Sequence, residues 1–156
     1  MNSSALSVPV SIVESTLTSL RRAGDRQSEG VVLWLGRREP DGVIVTEAYV
    51  PEQEAAHDFF RIPPPAMAAL LAHLGDTGTL IAAQVHSHPE EAFHSRTDDR
   101  WAIVRHLGAL SVVVPRFANQ TSVGNFLRQV AIFRLNHANQ WRELEGPDRE
   151  GSIRIA

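Results

Sequence analysis

The chain has 156 residues, of which 43% are hydrophobic and 21% charged, a globular balance that excludes wholesale disorder and a membrane-embedded class. Its formal net charge of -3 comes without any run of Lys or Arg, so the footprint of a nucleic-acid or anionic-membrane binder is missing. Cysteine is absent altogether, which removes disulfides, thiol nucleophiles and thiolate metal sites and leaves histidine and carboxylate as the only strong metal donors. The length suits a single domain over residues 1–156. The opening segment MNSSALSVPV has neither a basic region nor a long apolar one, and no stretch of about 18 apolar residues follows, so a cytoplasmic location is expected.

Taken in chain order, Val10, Val13, Leu17 and Leu20 repeat at three-and-four spacing and predict an amphipathic helix over about residues 8–24, with Pro9 in its first turn and Gly24 as its stop. Residues 31–35 and 43–50 are rich in β-branched and aromatic types and flank a Pro-Asp-Gly turn signal at 40–42, as in a β-hairpin. Residues 51–65 are polar, then aromatic, then proline-rich; with neither period evident, they read as a surface excursion. Met67, Leu70, Leu71 and Leu74 predict a second helix ended by Gly75 and Gly78. Residues 80–85 form a nearly continuous apolar run, as expected of a central strand covered on both faces. A third helix is expected over 98–107, a buried strand over 110–114 stopped by Pro115, and two further strands over 129–135 and 140–144. The tail at 153–155 reads either as a last short strand or as a frayed end. Strands mixed with about three helices define an α/β or α+β sandwich.

Chemistry begins where the 80–85 strand ends. His86 and His88 lie two apart, so their side chains leave the same face and can converge on one ion. Same-face histidines on a strand also occur as plain surface residues, and more is needed. Asp98 adds a hard oxygen donor ten positions after His88, and two imidazoles with one carboxylate and an open fourth position form a common catalytic zinc arrangement. Ser95 and Asp98 also fit a helix cap, Ser-x-x-Asp ahead of an apolar stretch, and a cap there would hold both side chains rigidly. Asp99 competes with Asp98 as the third ligand. Glu29 stands just before the 31–35 strand, where an acidic residue followed by glycine would ordinarily be a solvated strand end. His57, His73, His94, His106 and His137 share no spacing and read as surface or structural residues, with His94 near enough to Ser95 for substrate contact. Trp34, Trp101 and Trp141 lie in or beside apolar segments and read as core.

These residues together resemble the JAB/MPN (JAMM) metalloprotease family, whose pattern is a glutamate seven positions before a strand-end glycine, then His-Ser/Thr-His-Pro, then Ser-x-x-Asp. Glu29 and Gly36 have that separation; His86-Ser87-His88-Pro89 and Ser95-Arg96-Thr97-Asp98 follow in order. The similarity runs from the first helix to about Leu144. Two departures stand out: six residues rather than the commoner seven separate His88 from Ser95, and Val32 stands where many relatives have glycine. The first leaves Asp98 against Asp99 open.

The resemblance implies an α/β fold of the JAB/MPN, cytidine-deaminase-like kind, a mixed sheet flanked by about three helices. It implies a zinc ion held by His86, His88 and Asp98, with Glu29 as general base and Ser95 donating to the oxyanion. It further implies hydrolysis of an amide or isopeptide bond after the C-terminus of a ubiquitin-like protein, in deconjugation or precursor processing. A compact chain of this sort is similar to bacterial members encoded beside ubiquitin-activating-like and conjugating-like enzymes, some of them in antiphage operons. Insertions near residues 51–64 border the substrate groove in this family, which would give Phe59 and Phe60 a role in substrate choice; core packing is the equal alternative. Two other readings are a hydrolase acting on a sulfur-carrier-protein adduct or small amide, and a non-catalytic zinc scaffold. Glu29 and Ser95 argue against the scaffold, since a closed structural site needs neither.

Overall fold

The computed structural model describes residues 5–57, 59–93, 106 and 108–156, without the side chains of Phe59 and Phe60. Among the described residues, β1 (Ala5–Val8), β2 (Val31–Glu39), β3 (Gly42–Tyr49), β6 (Leu80–Ser87), β7 (Leu110–Val114), β8 (Ala131–Leu135), β9 (Trp141–Glu143) and β10 (Ile153–Ile155) form one mixed sheet in the order β10-β1-β3-β2-β6-β7-β8-β9. β4 (Glu54–Ala56) and β5 (Phe59–Arg61) pair separately as a small antiparallel hairpin. The helices are α1 (Val10–Asp25), α2 (Pro64–Thr77) and two short ones, α3 (Phe126–Gln129) and α4 (Gly146–Glu150). The expected α/β class with a mixed sheet is observed, and the described residues include two long and two short helices. The helix expected over 98–107 falls outside the described residues, His106 excepted.

Period-two alternation in β2 explains how the sheet is covered. Val32 and Trp34 face one side and join Val13, Leu17 and Leu20 of α1 in the main core, whereas Val31, Leu33 and Leu35 face the other and meet Leu70 of α2. All five β2 residues are essentially buried, which is why the segment reads as a continuous apolar run. Burying one such side chain contributes on the order of 1.5–3 kcal/mol, so this strand is the mechanical centre of the fold. Trp34 is fully buried, and its indole N–H donates to Thr16 Oγ1 of α1 at 2.8 Å. The core reading thus holds for Trp34; Trp141 is partly buried, and Trp101 lies outside the described residues.

Several local expectations are corrected. Val8 belongs to a strand, and Pro9 is the extended N-cap residue ahead of α1 rather than part of its first turn. Strand β1 pairs in parallel with both β3 and β10, so the 153–155 tail is a strand held by β1, not a frayed end. Gly24 lies within the last turn of α1, which runs on to Asp25. Gly78 caps α2 at a φ of 66°, whereas Gly75 is inside that helix. The 51–65 excursion contains the β4–β5 hairpin, whose three-residue strands are too short to show a period. Gln129 ends α3 instead of starting the strand assigned to 129–135.

Gly36 sits at a register shift between Leu35 and Gly36 in the β2–β3 ladder, and a Cβ there would lie 2.3 Å from the Ile44 carbonyl oxygen. Forcing in one methyl group displaces backbone rather than a flexible side chain. Gly36→Ala should therefore destabilise the fold by about 1–3 kcal/mol, measured as a lower urea midpoint at unchanged slope.

Candidate active site

β2 and β6 run antiparallel with Val31 opposite His86, and β6 runs parallel to β7 with His86 opposite Val113. His86 therefore shares with these two neighbours the sheet face turned away from α1. Glu29 precedes Val31 by two positions and His88 follows His86 by two, so the same alternation aims all three chemical side chains to one side. The geometry agrees: Glu29 Oε1 lies 3.4 Å from His88 Nε2, and the His86 and His88 rings have centroids 5.2 Å apart with planes at 52°. His86, His88 and Glu29 are 0%, 3% and 2% exposed.

The peptide carrying Glu29 is clamped from two sides. Gly30 N–H donates to Ser87 Oγ at 3.0 Å and the Gly30 carbonyl accepts from Ser87 N–H at 3.0 Å, which ties it to the histidine strand. On the other side Glu29 N–H donates to the Ala56 carbonyl at 2.8 Å. Gln53 behaves as a substitute strand: its Oε1 accepts from Val31 N–H at 2.8 Å, while its Nε2 donates to the carbonyls of Val31 and Pro51 at 3.1 and 2.9 Å. Gly30 itself is small for a reason, since a Cβ there would stand 3.0 Å from Ala23 Cβ of α1. Glu29 also lies on the wall of a cleft of about 280 Å³ between the end of α1, with Arg26, and the 50–55 segment.

His88 follows the last residue of β6. Its N–H donates to the Val114 carbonyl at 2.9 Å, its own carbonyl accepts from Phe117 N–H at 2.8 Å, and its ring meets Phe93 edge-on at a centroid distance of 4.6 Å. Phe93 is 53% exposed, an apolar side chain at the mouth of the site. Gln53, Phe93 and Phe117 were not singled out from the sequence, and Ser87 entered only as a member of the His-Ser-His-Pro motif, without a role of its own. Ser87 alone left a signal, standing between the two histidines.

Ser95 and Asp98, the competing Asp99, and His94 lie outside the described residues. Among the described residues no group of three potential ligands is assembled. The two imidazoles nonetheless fit a shared zinc. With Zn–N bonds of about 2.0–2.1 Å at a tetrahedral angle and each nitrogen about 1.1 Å from its ring centre, two such rings have centroids roughly 5 Å apart. The observed 5.2 Å agrees. Of the remaining histidines, His57 occupies the exposed β4–β5 turn, and His73 of α2 contacts Glu47 of β3 at 2.7 Å. His106 has its pKa lowered by burial and by the neighbouring Arg38 charge.

A mixed sheet with a glutamate and a histidine pair meeting at adjacent strand ends defines a JAB-type architecture. The family model describing prokaryotic homologues of the JAB domain matches residues 10–129, and the chain belongs to that family. It is 31% identical over 143 residues to the probable metalloprotease y4jG of Sinorhizobium fredii, covering 89% of this chain and 86% of that one. Its fold is similar to the solution structure of a protein from Desulfitobacterium hafniense, with a TM-score of 0.71, 19% identity, and coverage of 97% of this chain and 92% of the other. No helix among the described residues is long and apolar enough to cross a membrane.

The Ser87 hydroxyl is fully buried and accepts from a buried amide. Ser87→Ala leaves that Gly30 N–H without its acceptor and should cost about 1–3 kcal/mol of stability. Equilibrium unfolding in urea reads this directly, and a loss below about 0.5 kcal/mol would show that the clamp is not tight.

Proposed function

We propose that the chain is a zinc-dependent hydrolase that cleaves an amide or isopeptide bond following the C-terminus of a ubiquitin-like protein. The observation that carries this reading is the meeting of Glu29 with His88 at 3.4 Å inside a buried pocket beside His86. Membership of the JAB family and the likeness to a probable metalloprotease support it. A carboxylate held beside an imidazole at a buried strand end is of the type that serves as a general base.

In the proposed site His86, His88 and Asp98 hold the zinc. The ion, when bound, would supply Lewis acidity and lower the pKa of its water toward neutrality. Glu29 takes the proton of the attacking water at a carboxylate oxygen and delivers it to the departing amine as the C–N bond breaks. Ser95 donates a hydrogen bond to the oxyanion; losing one such donor typically costs about 100- to 1,000-fold. No covalent intermediate with the chain is needed. The β4–β5 hairpin, whose Ala56 carbonyl holds Glu29 N–H, would form one wall of the substrate groove and take up an extended tail. Phe59 and Phe60 of β5 belong to that wall. Partners in this setting are the modifier, its conjugates, and the activating-like and conjugating-like enzymes that attach it.

Metal analysis of the purified protein should find about one zinc per chain, lost in the His86→Ala/His88→Ala double variant. Separate Asp98→Ala and Asp99→Ala variants identify the third ligand, because only its removal strips the metal. Retention of zinc by the double-histidine variant overturns the site.

Glu29→Gln should keep zinc content and thermal stability while cutting turnover by roughly 100-fold or more. The assay compares cleavage of ubiquitin-like fusions carrying a C-terminal reporter, with chelator-treated wild type as the zero. A Glu29→Gln protein with full zinc-dependent turnover refutes the mechanism even if the metal site stands.

A further inference from the structure

Directly after β7, three consecutive residues that are not glycine take left-handed backbone conformations: Arg116, Phe117 and Ala118 have φ of 53°, 51° and 63°. Residues with a Cβ seldom adopt this region even singly, so three in a row persist only where the surroundings over-determine them. The turn closes on itself through Ala118 N–H to the Pro115 carbonyl at 3.0 Å and Asn119 N–H to the Arg116 carbonyl at 2.9 Å. Arg21 of α1 reaches across and donates its guanidinium to the carbonyls of Ala118, at 3.2 Å, and Thr121. Phe117 is mostly buried, and its Cβ rests where α1 has no side chain: a Cβ on Gly24 would stand 2.5 Å from Phe117 Cβ and 3.2 Å from its carbonyl oxygen.

The handedness decides where the amides point. Phe117 N–H goes to the His88 carbonyl at 2.8 Å and Arg116 N–H to the Glu90 carbonyl at 2.8 Å, while His88 N–H is held by Val114 at 2.9 Å. The amide of residue 117 takes its direction from the backbone angles of Arg116, so a right-handed Arg116 would turn the Phe117 N–H away from the His88 carbonyl. We propose that Phe117 is a positioning residue for His88: the left-handed turn, locked by the contact of Phe117 with Gly24, orients the second histidine for metal. The inference rests on reading His88 as a zinc ligand. It assigns Gly24 a role opposite to helix termination, since the glycine is there for a close approach of backbone and side chain.

The test is zinc affinity, measured by competition with a chromogenic chelator on the full chain. Gly24→Ala ought to favour α1 on helix propensity alone, yet it should weaken zinc binding by at least about tenfold, the scale on which supporting contacts of metal ligands act. Phe117→Val leaves α1 untouched but puts a β-branched residue at a left-handed position, and should also weaken zinc binding about tenfold or more. Leu135→Ala, a core change in the small cluster with Ala109, which contains no residue of the turn, should lower the melting temperature with zinc affinity unchanged. Wild-type affinity in a folded Gly24→Ala protein overturns the proposal. So does wild-type affinity in Phe117→Val, whatever happens to the Gly24 variant. If the wild-type chain binds no zinc, the reading of the site fails instead, and His88→Ala fixes the scale of complete loss.

Discussion

Antiparallel pairing of β2 with β6 is the constraint on which the rest depends. It brings Gly30 and Ser87, 57 positions apart in sequence, into direct hydrogen bonding, and so places Glu29 beside His88. Strand pairing has a period of two, so a slip of one residue would turn Glu29 toward α1 while the histidines stayed where they are. The register is held by shape and by one specific bond: the same slip would exchange Val32 and Trp34 for Val31, Leu33 and Leu35 against α1 and lose the Trp34 indole bond to Thr16. Packing and chemistry thus require the same alignment.

Three polar side chains, Glu29, His86 and His88, are nearly fully buried at one sheet end, and their backbones are supported differently. His86 lies within β6, where its backbone is held on both sides by β2 and β7, while Glu29 and His88 sit just beyond strand ends, where the chain has fewer ladder bonds. Those two positions carry the extra hydrogen bonds from Ala56, Val114 and Phe117. Side chains that must hold a fixed geometry receive backbone support in proportion to what the sheet does not provide.

What could be read from sequence divides along the range of the interactions involved. The β2–β3 hairpin, the run of β6 and the stop of β7 at Pro115 were legible because alternation and turn residues are local signals. The histidine pair was legible for the same reason, through its spacing of two. Strands β1 and β10 were obscured: Ala5–Val8 is four residues long, and its identity depends on pairing with Gly42–Ile44 and Ile153–Ile155 far along the chain. The β4–β5 hairpin was hidden by strands of three residues and by a side chain, Gln53, that imitates a backbone partner. Glu29 gave no local sign of burial. Only the family pattern singled it out, and only the register of β2 explains it.

Gly24 shows how a residue type can mislead when its local meaning and its tertiary meaning diverge. A glycine near the end of an amphipathic period reads as a helix stop, because glycine weakens helices and tolerates a positive φ. In the fold it is helical, and the quantity that matters is the 2.5 Å between its absent Cβ and that of Phe117, 93 positions later. Helix propensity favours alanine over glycine by about 1 kcal/mol, whereas driving a methyl group into packed backbone costs about 1–3 kcal/mol. The tertiary term outweighs the local one, and it acts at the turn that holds the carbonyl of His88. Helix α1, which supplies no chemical group to the site, thereby shapes it through a missing side chain.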